Sequence, residues 1–266
     1  MKSKSSEGVS IKLKGQVALI TGSGRNIGKA MANLFASEGA KIAVAEVHEG
    51  RGQAVVDELN RAGHEAMLVL GDVSKSDDVQ AMVKKVVARF GAIDILVNNA
   101  ALTDHATILD SKEEEFDKVI AVSLKGPYLM TKYVADEMRK QGRGGKIVNF
   151  GSTSGMIGRF DGIAYAAAKA GVINMTRAMA VQLAQYKIRV NCVVPNRSGS
   201  PVGYDDDVEG NRTFQNLAGR LGTADDQAKA ALFLVSEDSD FIYGHPLVVD
   251  GGVMATANFP RDQFQK

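Results

Sequence analysis

Tyr165 and Lys169 stand four residues apart in Ala164-Tyr165-Ala166-Ala167-Ala168-Lys169, a spacing that puts a phenol and an ammonium on one face of a helix. A free phenol ionises near pH 10. To accept a proton at neutral pH it needs a downward shift of ~3 units, about 4 kcal/mol of preferential stabilisation of the phenolate. A neighbouring ammonium supplies much of that. Ser152, thirteen residues upstream, stands in the small-residue turn 151–155, and its hydroxyl can hydrogen-bond a substrate oxygen while the phenol moves the proton. Each residue also has an ordinary reading, as a Tyr and a Lys on any helix or as a serine capping a turn. Only a nucleotide site in the same fold would make them chemical.

The elements that must position these groups are visible as short runs rich in Val, Ile and Leu at 16–20, 41–45, 66–70, 93–97, 146–150, 189–194 and 247–249. Helical patterns alternate with them, which predicts an α/β fold with a parallel sheet of about seven strands covered by helices on both faces. Ser152 then leaves the carboxyl end of the fifth strand, the side of an open α/β sheet where ligands bind. The first strand runs into Thr21-Gly22-Ser23-Gly24-Arg25-Asn26-Ile27-Gly28 and an amphipathic helix through Ala36 that stops at Gly39. Strand, glycine-rich turn and helix amino terminus form a phosphate cradle, because unpaired N–H groups and the helix dipole both favour an anion. The glycine spacing departs from the Gly-x-Gly-x-x-Gly dinucleotide fingerprint.

Taken together, residues 13–252 resemble the short-chain dehydrogenase/reductases. Thr21, Gly22 and Gly28 match that family's Thr-Gly-x-x-x-Gly-x-Gly loop, with Asn26 in place of the middle glycine, and Asn tolerates positive φ. Asp72-Val73 resembles its adenine-contacting pair, Asn98-Asn99-Ala100-Ala101 its Asn-Asn-Ala-Gly, Val194-Pro195-Asn196 its Pro-Gly turn near the nicotinamide, and Val249-Asp250-Gly251-Gly252 its closing strand and turn. Ser152, Tyr165 and Lys169 stand where its catalytic residues stand. Ser123 replaces an Asn that often holds a water linking the catalytic Lys to solvent, and reads either as a relay residue or as a plain helix position.

The resemblance implies a Rossmann-type doubly wound sheet in a single domain, residues 13–266, after a flexible tail 1–12. It implies a dinucleotide held by Gly22, Ser23, Arg25, Asn26, Ile27, Gly28, Glu46, Asp72, Val73, Asn98, Ala100, Tyr165, Lys169, Pro195 and Ser198. Leu102, Thr103, Ser154, Gly155, Phe160 and Asn196 are its candidate substrate contacts, under a lid at about 196–217, where composition shifts to Gly, Ser, Pro and Asp205-Asp206-Asp207. Glu46 ends the second strand, and a carboxylate there accepts from ribose hydroxyls and repels a 2′-phosphate, which favours NAD. Arg25 pulls toward NADP, but a carboxylate in direct contact outweighs a flexible, solvated Arg.

The expected reaction moves a hydride between the nicotinamide and a small to medium secondary alcohol or ketone. Tyr165 exchanges the proton, Ser152 holds the substrate oxygen, and Lys169 lowers the phenol pKa and holds the nicotinamide ribose. Two alternatives stay open: an NADPH-dependent 3-oxoacyl thioester reductase, for which no basic landing patch for an acyl carrier is visible, and a catalytically silent dinucleotide sensor. The departures at Asn26, Ala101, Ser123 and Asn196 motivate the second.

Composition excludes other classes. A formal charge of +1 with interspersed signs offers no field to recruit nucleic acid or an anionic membrane. No run of ~18 apolar residues could span a bilayer, and the Lys/Ser-rich start has no secretory apolar block, so a cytoplasmic protein is expected. The lone Cys192 cannot form an internal disulfide and reads as a core residue. His48, His64, His105 and His245 lack ligand spacing, so no metal is expected, and only His105 follows a strand end within reach of the pocket. Family resemblance implies a homo-oligomer, a dimer or homotetramer pairing through helices at about 112–140 and 161–185.

Overall fold

A computed structural model describes residues 11–196, 202 and 216–255 of the 266. Its centre is a seven-stranded, all-parallel sheet in the order β3-β2-β1-β4-β5-β6-β7, formed by β1 (Val17–Thr21), β2 (Lys41–Glu46), β3 (Ala66–Leu70), β4 (Ile95–Asn98), β5 (Gly145–Phe150), β6 (Ile188–Pro195) and β7 (Pro246–Val249). Chain order reverses direction between β1 and β4. Crossovers leave that point toward opposite sides, so a crevice opens above the strand ends there. The doubly wound fold expected from the sequence is the fold observed.

Alternate strand residues explain the two layers. Ala18 and Ile20 of β1 pack with Ile42, Val44, Ile95 and Val97 against Met31 and Phe35 of α1 (Asn26–Ser37), Val55 and Leu59 of α2 (Glu49–Arg61) and Ala231 of α7 (Ala224–Val235). Val17 and Leu19 face the other way, with Ala43 and Leu96, against Met82 and Val86 of α3 (Ser76–Phe90), Met130 and Val134 of α5 (Gly126–Gln141) and Met179 of α6 (Ile163–Leu183). A strand buried on both faces has no polar alternation to show, hence the continuous apolar runs.

The expected helix at 112–140 is interrupted. α4 (Glu113–Ile120) passes through one π-turn, Ala121–Lys125, before α5 begins. Ser123 sits in that turn, fully buried. Just before the first strand, the Lys12 N–H donates to Glu38 (2.9 Å) and its ammonium pairs with Asp238. Buried Arg189 donates to the carbonyls of Leu234, Ser236 and Ser239, a cation satisfying the carboxyl end of α7. Cys192 is a core residue whose thiol burial pushes up to about 11, which leaves it a poor nucleophile.

Candidate active site

The glycine-rich loop folds as it does because three positions admit almost no alternative. Gly22 and Asn26 have positive φ (63° and 49°), and a Cβ on Gly28 would stand 2.1 Å from the Gly22 carbonyl oxygen. The chain therefore turns tightly enough to aim the start of α1 at the cleft. Among the described residues no side chain caps α1, so its first-turn N–H groups remain for a ligand, and a pyrophosphate fits that donor set. Neighbouring strand ends brace the loop. Thr21 Oγ1 accepts from the N–H groups of Asn99 and Ala100 (both 3.0 Å), and Asn99 Nδ2 donates to the carbonyls of Thr21 and Gly22 (3.0 and 3.1 Å). Glu46 is nine-tenths buried beside it and accepts from the N–H groups of Gly24 (3.0 Å), Val47 (3.0 Å) and His48 (3.3 Å).

Ser152, Tyr165 and Lys169 line the same cleft of about 1560 Å³ as Gly22, Arg25, Asn26, Ile27, Gly28, Glu46, Asp72, Val73, Ala100 and Pro195. Leu102, Thr103, Ser154, Phe160, Asn196 and His105 line it too. Ser152 Oγ accepts from the Ser154 N–H (3.1 Å), capping the 3-10 turn Thr153–Gly155, and so retains its own proton for another acceptor. Lys169 Nζ donates to the Phe150 carbonyl at 2.7 Å and stands 5.5 Å from the centroid of the Tyr165 ring. Burial lowers the Lys169 ammonium to about 8. It also pushes the Tyr165 phenol above its ordinary 10, and the Ser152 hydrogen bond and the Arg159 charge oppose that rise without reversing it. Burial of both groups thus opposes the acidification of the phenol expected from Lys169.

Residues 22–254 match a family model described as enoyl-(acyl carrier protein) reductase. A solved structure of a short-chain dehydrogenase/reductase from Burkholderia xenovorans superposes with a TM-score of 0.87 at 37% identity, covering 92% of this chain and 99% of that one. The chain belongs to the short-chain dehydrogenase/reductase family. An uncharacterised oxidoreductase of Thermotoga maritima is 39% identical over 91% of this chain and 98% of its own. The 3-oxoacyl-(acyl-carrier-protein) reductase of the same organism is 37% identical over 92% and 100%. Like other short-chain dehydrogenase/reductases, the protein is an oxidoreductase acting on alcohol or ketone groups with a nicotinamide dinucleotide. Among the described residues no helix is long and apolar enough to cross a membrane.

Several expected contacts of this short-chain dehydrogenase/reductase fall elsewhere. Ser23 is fully buried and donates to the Ile20 carbonyl (2.7 Å), away from the cleft. Asn98 follows Leu96 by the two-residue strand period onto the α5 face, where Nδ2 donates to Thr131 Oγ1 (3.0 Å) and Asn149 Oδ1 (2.8 Å). The neighbouring Asn99 takes the cleft-side position. Gly155 is not among the residues lining this cleft: a Cβ there would come within 2.5 Å of the Lys169 carbonyl carbon, so its absence lets the serine turn press on α6. Among the described residues the Ser123 hydroxyl bonds to Leu102 alone. It donates to the Leu102 carbonyl (2.8 Å) and accepts from the Leu102 N–H (2.9 Å), which makes it a brace for the segment after β4 in place of a side-chain relay. Ser198 and nearly all of the expected lid lie outside the described residues.

Two residues were invisible to sequence reasoning. Asp104 is buried, and its carboxylate accepts from the N–H groups of Ala164 (3.1 Å) and Tyr165 (2.9 Å). It caps α6 from sixty residues away, since the local cap position is Gly162, in the left-handed region with no side chain to offer. Arg159 donates through Nε and Nη2 to Asp161 Oδ1 (3.2 and 2.8 Å) and lies over the Tyr165 ring, 5.5 Å from its centroid. No periodicity in the sequence marks either contact.

Proposed function

We propose that this oxidoreductase interconverts a small to medium secondary alcohol and its ketone, with NAD preferred, and that Ser152, Tyr165 and Lys169 carry the proton chemistry. The observation behind this reading is that the three side chains share one cleft with the glycine-rich cradle, with Ser152 and the Lys169 ammonium both on Tyr165. When bound, the dinucleotide supplies the hydride donor or acceptor. Ser152 Oγ, its lone pair engaged by Ser154, donates its proton to the substrate oxygen. Tyr165 Oη gives a proton to that oxygen in reduction and takes one in oxidation. Lys169 keeps two N–H groups beyond its bond to Phe150, enough to hold a ribose hydroxyl and favour phenolate during oxidation. Asp104 fixes the helix end from which Tyr165 projects.

Ser23 and Asn98 leave the proposed dinucleotide set and Asn99 joins it. Glu46 supports NAD because its carboxylate lines the cleft beside the glycine-rich loop and would repel a 2′-phosphate held there, although Arg25, His48 and Arg51 line the same cleft. Assays of purified protein with NAD and NADP across a panel of secondary alcohols and ketones test the reading. Glu46→Gln is expected to shift the NAD/NADP ratio of kcat/KM about tenfold toward NADP, roughly the effect of one removed charge contact. An unchanged ratio removes Glu46 from the argument. Similarity to the T. maritima reductase favours a second reading, reduction of a 3-oxoacyl thioester, checked by NADPH-dependent turnover of acetoacetyl-CoA. Exposed Phe116, Tyr128 and Val181 on α4, α5 and α6 support self-association through these helices.

A further inference from the structure

The proton chemistry leaves Arg159 without a task. Its guanidinium sits on the cleft wall beside the Tyr165 ring, with only a quarter of the side chain exposed. Asp161 fixes it along one edge, taking one N–H from Nε and one from Nη2, while the other Asp161 oxygen meets His105 Nδ1 at 3.4 Å. Gly162 makes room for this placement, since a Cβ there would stand 3.0 Å from the Arg159 Cζ. A guanidinium has five N–H donors in a planar fork. Three remain without an acceptor among the described residues, including the parallel pair across the Nη1 and Nη2 edge. That edge can pair bidentately with a carboxylate, and the Asp161 anchor and the ring beneath already hold it in place, which reduces the ordering cost of binding.

Resting on the Ser152–Tyr165–Lys169 reading, we infer that Arg159 binds a carboxylate of the substrate, so that the preferred substrates are hydroxy acids and the corresponding oxo acids. The substrate oxygen meets the phenol while the carboxylate meets a guanidinium over the same ring. The two groups must therefore lie close along the substrate, about two to four bonds apart. A neutral alcohol can react in such a site but leaves the fork unpaired, and the loss of a charged hydrogen bond is what separates it from the acid.

The test compares 2-hydroxybutyrate, 3-hydroxybutyrate and 4-hydroxypentanoate with their methyl esters and with 2-butanol, using the full chain and NAD or NADP. At least one acid is expected to exceed its ester in kcat/KM by about thirtyfold or more. Arg159→Met is expected to lower kcat/KM for that acid about a hundredfold, mainly through KM, and for the ester far less; Arg159→Lys is expected to recover part of the loss. Loss of the guanidinium also removes a charge that eases ionisation of Tyr165. That effect falls on both substrates, so the acid-to-ester ratio isolates carboxylate binding. Equal losses for acid and ester overturn the inference, and so does wild-type turnover of esters or 2-butanol with no preference for any acid; either leaves the Ser152–Tyr165–Lys169 reading standing. Absence of turnover with every compound overturns that reading and this inference with it.

Discussion

The cleft has two regions built in opposite ways. Around the glycine-rich loop the decisive contacts are local: Gly28 against the Gly22 carbonyl, Asn26 at positive φ, and Ser23 on Ile20 all lie within one stretch of nine residues, 20–28. Around Tyr165 they are distant. Asp104 caps the helix from sixty residues upstream, Phe150 holds Lys169, and Ser123 braces Leu102 across the chain. A site made of backbone turns needs particular residue types at fixed spacing, whereas a site made of side-chain props needs only that some polar atom arrive from somewhere.

The sharpest way to break this comparison is to disable each region alone. Tyr165→Phe should lower kcat by about 10³-fold, within the range for loss of a general acid–base group, while dinucleotide affinity measured by calorimetry changes less than about threefold. Gly28→Ala should do the reverse at the binding step, weakening the dinucleotide about a hundredfold or more, because the new methyl group forces the loop off the Gly22 carbonyl. Should Tyr165→Phe retain turnover, or Gly28→Ala bind normally, the division between the regions is wrong.

Asp104→Ala offers an intermediate effect. It leaves two buried N–H groups of α6 without their acceptor, so a loss of about 1–3 kcal/mol in stability and a fall of about tenfold in kcat are expected, with dinucleotide affinity nearly retained. Chemical denaturation and initial rates on the same preparations check both. An unaltered kcat at reduced stability would confine Asp104 to holding the fold.

Lys169 carries the most diagnostic effect on stability, because it depends on pH. Its folded pKa is about 8 against an ordinary 10.5, so below pH 8 the ammonium is charged in both states and its burial disfavours folding. The cost is relieved as pH rises from 8 to 10.5. Lys169→Met should therefore abolish turnover yet stabilise the dinucleotide-free protein at pH 7 by about 1–3 kcal/mol, and the gap should narrow above pH 8. A difference in melting temperature that does not depend on pH would contradict this account of the buried ammonium.

The fold was largely legible because burial on both faces demands unbroken apolar strands, and each of the seven was found within two residues of its ends. The Asn98 side chain turns to α5 for a specific reason: the pair Asn98-Asn99 straddles a strand end, where the last residue of the alternation faces a helix and the next leaves the sheet. The contact of Ser123 was not legible, because helical position alone does not reveal that a π-turn directs its hydroxyl onto Leu102. Arg159 gave no signal, since an Arg before an Asp in a loop has the composition of ordinary surface.

By itself the sequence determined the parallel doubly wound sheet, the tight glycine-rich loop, and the Ser, Tyr and Lys that line the cleft beside it. Burial periodicity, steric exclusion and helical spacing are written in the order of residues. Tertiary structure alone decided that Asp104 holds the start of α6, that desolvation raises the phenol and lowers the ammonium, and that Arg159 overlies the ring. Those outcomes depend on which groups are brought together and which are removed from water, and neither follows from position along the chain.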